Sequence, residues 1–197
     1  RRRQPPTFPW WQPRGWYLRP VIAGPRLYFP PAIGIWHGGP GGQSRTGYSA
    51  MIQHLVNHGY AVLAANNRGS SGYGKTFFHM DDKRHGEVDL QDIVYGKRYL
   101  GSLAWVDAGR IGIIGGSYGG YATLAGLTFT PDKFACGLHV VGPSNLNTLL
   151  ASIPAYWKSF FEDLARRVGD PRTEEGKALL KERSPLTYAD RIQRPLL

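Results

Sequence analysis

The chain has 197 residues, of which 42% are hydrophobic, and it carries a formal net charge of +10. This length and composition predict one globular domain with a substantial core. No stretch approaches the ~18 consecutive apolar residues of a membrane span, and the N-terminus lacks an apolar signal region, so we expect no membrane partner. The single cysteine, Cys136, lies in an apolar run and is predicted to be a buried core thiol. One cysteine excludes disulfides within the chain, which favours a cytoplasmic location.

Positive charge is concentrated at the N-terminus. Six arginines and no acidic residue fall within residues 1–26, whereas the remainder carries 18 basic and 14 acidic side chains. Residues 1–31 also hold eight of the 15 prolines, so this segment is predicted to be an extended arm or irregular strand, not a helix. A basic arm with interleaved tryptophans could bind single-stranded nucleic acid, but no recognisable binding fold follows it, and we expect no nucleic-acid partner. We therefore divide the chain into an arm, 1–32, and a domain, 33–197.

Alternating strands and helices are predicted after the arm. Short apolar runs bounded by glycines and polar turns predict strands, and a helical period of apolar residues predicts helices. The prediction in chain order is a strand at 33–37, a helix at 48–57, a strand at 60–65, a polar loop at 66–86, a helix at 87–100, a strand at 111–114, a helix at 121–127 and a strand at 134–141. Such alternation predicts an α/β fold, in which helices cover both faces of a mostly parallel sheet.

The helix predicted at 87–100 has an apolar stripe. Its buried face is expected to consist of apolar residues, namely Val88, Leu90, Ile93, Val94 and Leu100. We expect its acidic residues Asp89 and Asp92 to face solvent or to cap the helix.

Residues 110–121 contain a Gly-x-Ser-x-Gly motif with Ser117 at its centre. Between a strand and a helix this motif is the nucleophile elbow, in which the serine stands on a tight turn clear of the sheet. The glycines permit strained dihedrals and close backbone packing. The backbone N–H of Tyr118 is then expected to point at the place where negative charge develops during acyl transfer. A glycine-rich turn without chemistry is the alternative, but the strand and helix on either side favour the elbow.

A second motif favours a different chemistry. Residues 69–76 match the phosphate-binding pattern G-x-x-x-x-G-K-[ST], just after a predicted strand. In that motif the Lys and Thr begin a long helix whose N-terminus holds the phosphates. Residues 77–86 have no amphipathic period and end at a glycine, and no later strand ends in an acid for magnesium. A surface loop is therefore favoured over nucleotide binding, and no cofactor is expected.

Three glycine-rich motifs follow one another along the chain. They are His-Gly-Gly-Pro at 37–40, Asn-Arg-Gly-Ser-Ser-Gly-Tyr-Gly at 67–74 and Gly-Gly-Ser-Tyr-Gly-Gly-Tyr at 115–121. Together they resemble the catalytic domain of the prolyl oligopeptidase family of serine peptidases, above all its acylaminoacyl-peptidase and dipeptidyl-aminopeptidase branch. The resemblance extends from about Ile33 to the last residue and implies an α/β-hydrolase fold. It also accounts for the false phosphate loop, since that sequence resembles the family's own loop beside the active site.

The resemblance implies acyl transfer through a covalent intermediate on Ser117. This serine would attack the carbonyl of a peptide or ester bond, and the backbone N–H groups of Tyr118 and Gly39 would form the oxyanion hole. We expect His37 to order its glycine-rich loop by hydrogen bonding, not to take a proton. Tyr156 and Trp157 are candidates for binding substrate in the acyl pocket, and packing within the core is the alternative for both.

The partners of the serine are where the sequence departs from the family pattern. In α/β-hydrolases a catalytic acid and then a histidine follow the serine, but the only histidine after Ser117 is His139, which we interpret as a packed residue of the strand at 134–141. We therefore interpret the chain as a C-terminally truncated catalytic domain that lacks the last strands and is inactive, or nearly so, by itself. The open edge of the strand at 134–141 is expected to permit self-association.

The remaining histidines give no sign of a metal site. Four further histidines precede the serine and are predicted to lie on helices or surface loops, namely His54, His58, His79 and His85. None has a second ligand at metal-binding spacing with a third partner nearby, so no metal is expected.

Three functional hypotheses follow from the sequence. The favoured one is a serine hydrolase of oligopeptidase or aminopeptidase type, because Ser117 has the strand–turn–helix context of an elbow. The second is a non-catalytic interaction module with a hydrolase fold, since the triad is incomplete. The third is nucleotide binding through residues 69–76.

Overall fold

A mixed β-sheet lies at the centre of the molecule. The computed structural model describes residues 2–3, 14–20 and 29–197, and only the backbone at positions 2, 3 and 14. The strands of these ranges are β1 (Arg2–Arg3), β2 (Arg14–Leu18), β3 (Ala32–Trp36), β4 (Ala61–Asn66), β5 (Ile111–Gly116) and β6 (Gly137–Val140). Their spatial order is β1-β2-β4-β3-β5-β6. Strands β3, β4, β5 and β6 are mutually parallel, and β2 pairs antiparallel with both β1 and β4, so the predicted mostly parallel sheet is confirmed.

Helices connect the parallel strands. They are α1 (Ala50–Asn57), α2 (Lys75–Phe78), α3 (Val88–Ser102), α4 (Tyr118–Phe129), α5 (Leu146–Ala151), α6 (Lys158–Arg167) and α7 (Glu174–Glu182), with 3-10 helices at Ala155–Trp157 and Pro185–Arg191. The predicted α/β alternation is confirmed. The helix predicted at 121–127 begins earlier, at Tyr118, directly after the candidate nucleophile. No helix in the part of the chain described above is long and apolar enough to cross a bilayer.

The two faces of the sheet are covered unequally. Ala32 and Trp36 of β3 point into the main core, which α3 and α4 cover. Ile33, between them, points to the other face. There it lines an open apolar groove of about 770 Å³ with Leu55 of α1 and Leu138 of β6. Helices thus lie on both faces, as predicted, but α1 has no fully buried residue and leaves much of its face uncovered.

Part of the predicted N-terminal arm belongs to the sheet. Residues 14–18 form β2, in which Trp16 lies opposite Ala64 of β4. This segment is extended, as expected from its prolines and lack of helical period. Because β2 pairs with β4, the boundary predicted after residue 32 falls within one continuous sheet. Trp10 and Trp11 of the arm lie outside the described residues.

Three expectations about residues 134–141 are wrong. Strand β6 is shorter, and its outer edge is occupied: backbone hydrogen bonds of 2.8–3.0 Å join Gly137 and His139 to residues 195–197. The open edge on which self-association was expected is therefore already paired. Cys136 is exposed instead of buried, because it borders the open groove.

The acidic residues of α3 are buried, so the expectation that they face solvent is wrong, and only Asp89 satisfies an N–H group of the first turn, that of Leu90 at 2.8 Å. Asp89 and Asp92 are each 2% exposed. Asp92 forms an ion pair with Arg68 at 2.8 Å, and Asp89 accepts a hydrogen bond from the Tyr118 hydroxyl at 3.2 Å. Buried carboxylates need such partners, and both partners come from elsewhere in the chain.

Candidate active site

Ser117 lies at the turn between β5 and α4. Its backbone has φ 56° and ψ −121°, a conformation that non-glycine residues rarely adopt and that is often found at functional sites. The residue is exposed, and it is the N-cap of a 12-residue helix. The nucleophile-elbow geometry predicted from the sequence is therefore present.

The serine side chain faces the His-Gly-Gly-Pro segment. A Cβ atom placed on Gly38 would lie 3.5 Å from the Ser117 Cβ and 3.9 Å from its Oγ. One of the elbow glycines is required by close packing, because a Cβ atom at Gly115 would overlap the backbone of Gly119. The motif therefore places the hydroxyl beside the loop that follows β3.

Two backbone N–H groups near the serine have no acceptor. Within the described ranges, the N–H groups of Tyr118 and Gly39 make no hydrogen bond, whereas those of Gly120 and Tyr121 donate to the Ser117 carbonyl at 2.9 and 3.1 Å. The first turn of α4 leaves the Tyr118 N–H free, and the helix dipole adds positive potential there. Free N–H groups beside a nucleophile can bind an oxyanion.

His37 orders its loop and is not hydrogen bonded to the serine. Its Nδ1 donates to the Gly38 carbonyl at 2.9 Å, and its Nε2 accepts from the Ser70 hydroxyl at 2.8 Å. Burial lowers its pKa, so the ring is neutral near pH 7. With both nitrogens engaged, His37 ties the loop after β3 to the loop after β4, in agreement with the expectation from the sequence.

A cavity of about 570 Å³ opens next to Ser117. Residues of the elbow and of the His-Gly-Gly-Pro loop form one wall, and the other combines apolar side chains with the polar ones of Ser144, Asn145, Thr148 and Ser152. These apolar residues are Val141, Leu146, Leu149, Phe160, Leu164 and Val168. No charged side chain of the described residues lines it. The cavity can therefore accept an apolar group attached to a carbonyl at Ser117.

Tyr156 and Trp157 do not line this cavity. They lie in a 3-10 helix just before α6 and are 83% and 51% exposed. The Trp157 ring stacks edge to face on Phe160 at 5.8 Å, and Phe160 lines the cavity instead. The alternative of packing in the core is wrong for both residues.

Sequence reasoning missed a buried cluster of charged and polar residues behind the elbow. Its members share near-complete burial and are Asp81, His85, Asp89, Tyr118 and Arg167. His85 is 1% exposed, which contradicts the expectation of a surface position. The spacing of Asp81, His85 and Asp89 by four residues was the only available signal, and Arg167 lies too far along the chain to be connected by any pattern.

The glycine-rich loop at 69–76 has no phosphate-binding geometry. Its Lys and Thr begin α2, which has only four residues. Backbone N–H groups of the loop donate to carbonyls of the protein, from Gly69 to Phe77 and from Ser71 to Gly42 at 3.0 Å. They therefore do not converge on an anion site as a phosphate loop requires.

No histidine acts on the serine in this structure. All six histidines fall within the described ranges, and none is hydrogen bonded to Ser117. His139, on β6, accepts a hydrogen bond from the Gly142 N–H at 3.3 Å, as a residue packed in the sheet.

The chain is similar to several known peptidases. The model of the prolyl oligopeptidase family matches residues 46–197. Dipeptidyl aminopeptidase BIII of Pseudoxanthomonas mexicana is 52% identical over 167 residues, which cover 85% of this chain and 24% of that protein. Dipeptidyl peptidase family member 6 of Caenorhabditis elegans is 44% identical over 166 residues, covering 84% of this chain and 22% of that protein. The chain thus spans about a quarter of the length of the curated relatives it matches.

Solved structures of peptidases share this fold. An acylaminoacyl peptidase in complex with Z-Gly-Gly-Phe-chloromethyl ketone is 32% identical and superposes with a TM-score of 0.84. The superposition covers 100% of this chain and 30% of that chain. The sheet and its helices are therefore part of an α/β-hydrolase domain.

Proposed function

Because the chain belongs to the prolyl oligopeptidase family, we propose that it carries the nucleophile and the oxyanion hole of a serine peptidase. One observation carries this proposal above all. Ser117 is exposed on a strained turn, next to two backbone N–H groups without acceptors and at the mouth of a cavity that no charged side chain of the described residues lines. A serine without a catalytic role has no need of this combination.

The proposed reaction is acyl transfer to Ser117. Its Oγ attacks the substrate carbonyl while its proton passes to a base, and the carbonyl oxygen becomes an oxyanion. The N–H groups of Tyr118 and Gly39 bind that oxyanion, and each such donor typically contributes on the order of 10²-fold in rate. Collapse of the intermediate breaks the peptide bond and releases the amine with a proton from the same base. Water then hydrolyses the acyl-enzyme.

The uncharged lining of the cavity, with its apolar side chains, favours an apolar residue on the acyl side of the scissile bond. Val141, Leu149, Phe160 and Leu164 offer dispersion contacts, whereas no charged side chain of the described residues lines the cavity to pair with a charged group. Tyr156 and Trp157, which continue the aromatic row from Phe160 towards solvent, are proposed to contact substrate residues beyond the cavity.

Within the described part of the chain, no histidine or carboxylate is hydrogen bonded to the Ser117 side chain. A serine hydroxyl is a weak nucleophile until a histidine takes its proton and a carboxylate orients that histidine. Since both follow the serine in α/β-hydrolases, we expect them beyond Leu197 and expect the 197-residue chain alone to be inactive, or nearly so.

Hydrolysis of peptide p-nitroanilides by the full-length product of the gene tests the proposal. Substrates with Phe or Leu before the scissile bond should be cleaved, those with Asp or Lys there should be cleaved poorly, and Ser117→Ala should abolish turnover. Turnover that survives Ser117→Ala would refute the role of Ser117 as nucleophile. A preference for charged residues would refute the proposed apolar specificity.

A further inference from the structure

The Gly39 loop is held by a buried arginine. Arg167, the last residue of α6, has no exposed surface, and its Nη1 donates to the Pro40 carbonyl at 3.0 Å. Its other N–H groups reach the Phe78 carbonyl at 3.2 Å, Asp81 Oδ1 at 3.0 Å and Asp82 Oδ1 at 2.8 Å. One planar guanidinium thus joins the loop after β3 to the segment that follows β4.

The loop packs on this guanidinium without a gap. Gly41 has φ 95°, and a Cβ atom there would lie 2.7 Å from Arg167 Nη1 and 2.5 Å from the Phe78 ring. The guanidinium carbon lies 4.2 Å from the centre of the same ring. The turn that contains Gly39 therefore cannot shift without moving Arg167.

Stability alone is a weak reason for an arginine in this position. Burial by itself would lower the pKa of Arg167. The hydrogen bonds and negative charges of Asp82 and Asp81 outweigh this effect, so that the pKa is raised. Asp81 bears a cost in turn, because burial raises its pKa to about 7 although Arg167 opposes the shift. Replacing buried ion pairs with well-packed apolar residues is often neutral or stabilising. The fork geometry, which reaches two carbonyls and two carboxylates, is what an apolar side chain could not supply.

The same cluster extends to the second free N–H group. Asp81 Oδ2 lies 3.4 Å from His85 Nδ1, and that nitrogen is hydrogen bonded to the Tyr118 hydroxyl. Tyr118 also donates to Asp89. The residues that carry the two proposed oxyanion donors therefore adjoin one buried cluster of polar side chains, although they follow different strands.

We propose that Arg167 is a positioning residue that fixes the Gly39 N–H relative to the Tyr118 N–H. This inference depends on the proposed function of both donors. Arg167 is not among the residues that line the cavity, so it does not touch the acyl group. Its effect should fall on the tetrahedral intermediate and not on the bound substrate, and kcat should therefore change more than KM.

Kinetics of Arg167→Lys and Arg167→Met in the full-length gene product test the role. Lysine keeps the charge but cannot bridge four acceptors. We expect kcat to fall ~10-fold to 100-fold in both variants, with KM within about threefold of the wild type. A peptide aldehyde, which forms a hemiacetal with its oxygen in the oxyanion hole, should lose affinity in parallel with kcat/KM, whereas the matching peptide alcohol should bind unchanged.

Arg166 provides the matched control. It precedes Arg167 on α6, its side chain is 66% exposed, and it pairs with Asp163. Arg166→Lys and Arg166→Met should leave kcat and the affinity for the aldehyde unchanged. If Arg167→Met does not fold, Asp82→Asn is the alternative. It weakens one partner of the guanidinium, at a side chain that is 26% exposed, and should lower kcat about threefold with unchanged KM.

Two results would overturn the inference. One is unchanged kcat and aldehyde affinity in Arg167→Lys and Asp82→Asn, and the other is an equal loss of affinity for the peptide alcohol, which a merely structural defect would cause. A wild type that neither cleaves peptides nor reacts with a fluorophosphonate at Ser117 would instead refute the proposed function, and the inference with it.

Discussion

Gly119 packs directly against the carbonyl oxygen of Trp36. A Cβ atom at Gly119 would overlap this oxygen and would lie 2.9 Å from the carbonyl oxygen of His37. The first turn of α4 therefore touches the end of β3, and this contact holds Ser117 beside the His-Gly-Gly-Pro loop. A backbone atom cannot move aside as a flexible side chain can.

Gly119→Ala should consequently destabilise the protein by about 3 kcal/mol or more, since the added methyl group must displace backbone. Gly116→Ala is the control within the same motif, because a Cβ atom there would meet only the Val140 carbonyl oxygen, at 3.9 Å. Urea unfolding of the two variants measures the difference. Equal stability of both would show that β3 and α4 are less closely packed.

Val141 is a second strained position near the nucleophile. It has φ 47°, unusual for a β-branched residue, and it lines the cavity with 82% of its surface exposed. Val141→Gly should raise the free energy of unfolding by about 1 kcal/mol, because strain of this kind costs more than the entropy that glycine loses. Val140→Gly, on the adjacent strand position, should lower it by about 1 kcal/mol. Destabilisation of both variants to the same extent would contradict the strained conformation.

The elbow could be predicted from the sequence because its determinants are local. Strand, glycines, serine and helix occupy one short segment, and each constrains the next. The burial of Asp89 and Asp92 was harder to predict, although Asp89 lies four residues before Ile93 and Asp92 four residues after Val88. Helical periodicity shows which face is buried, but the partners that allow a carboxylate to be buried lie elsewhere.

The contact between Arg167 and the His-Gly-Gly-Pro loop could not be predicted at all. Arg167 is separated from Pro40 by 127 positions and from Asp81 by 86. The sequence Ala-Arg-Arg-Val does not distinguish it from the exposed Arg166 before it. Cys136 was misjudged for a related reason, since an apolar run predicts burial only when another element covers it.

Asp89 should give stability a measurable pH dependence. Burial raises its pKa to about 6, although the N–H groups of Leu90 and Gly86 and the Tyr118 hydroxyl oppose the shift. The native state therefore binds a proton that the unfolded chain has released above about pH 4, so Asp89 contributes stability in acid that is lost as the pH rises through 6.

Asp89→Asn removes this loss. The free energy of unfolding of the variant, relative to the wild type, should rise by on the order of 2–3 kcal/mol between pH 4 and pH 7. The variant is compared with the wild type at each pH because His85 has the opposite effect on stability. Burial lowers the pKa of His85 to about 3, so its contribution to the free energy of unfolding is lost as the pH falls. Asp132→Asn, at an exposed carboxylate, should show no such rise. A flat difference for Asp89→Asn would contradict its raised pKa.

Phe160 should determine the preference for apolar acyl groups. Phe160→Ala in the full-length gene product should lower kcat/KM for substrates with Phe before the scissile bond about 10-fold, because part of the cavity wall is lost. Met51→Ala, at a residue of similar exposure on α1, should leave it unchanged. An unaltered preference in Phe160→Ala would place the acyl group elsewhere.

Reaction of the full-length gene product with a fluorophosphonate, followed by mass spectrometry of its peptides, tests the central claim most directly. The structure predicts one phosphonylated residue, Ser117, and no adduct after Ser117→Ala, since only an activated hydroxyl beside an oxyanion hole reacts. An unlabelled wild type, or an adduct that persists in Ser117→Ala, would contradict it.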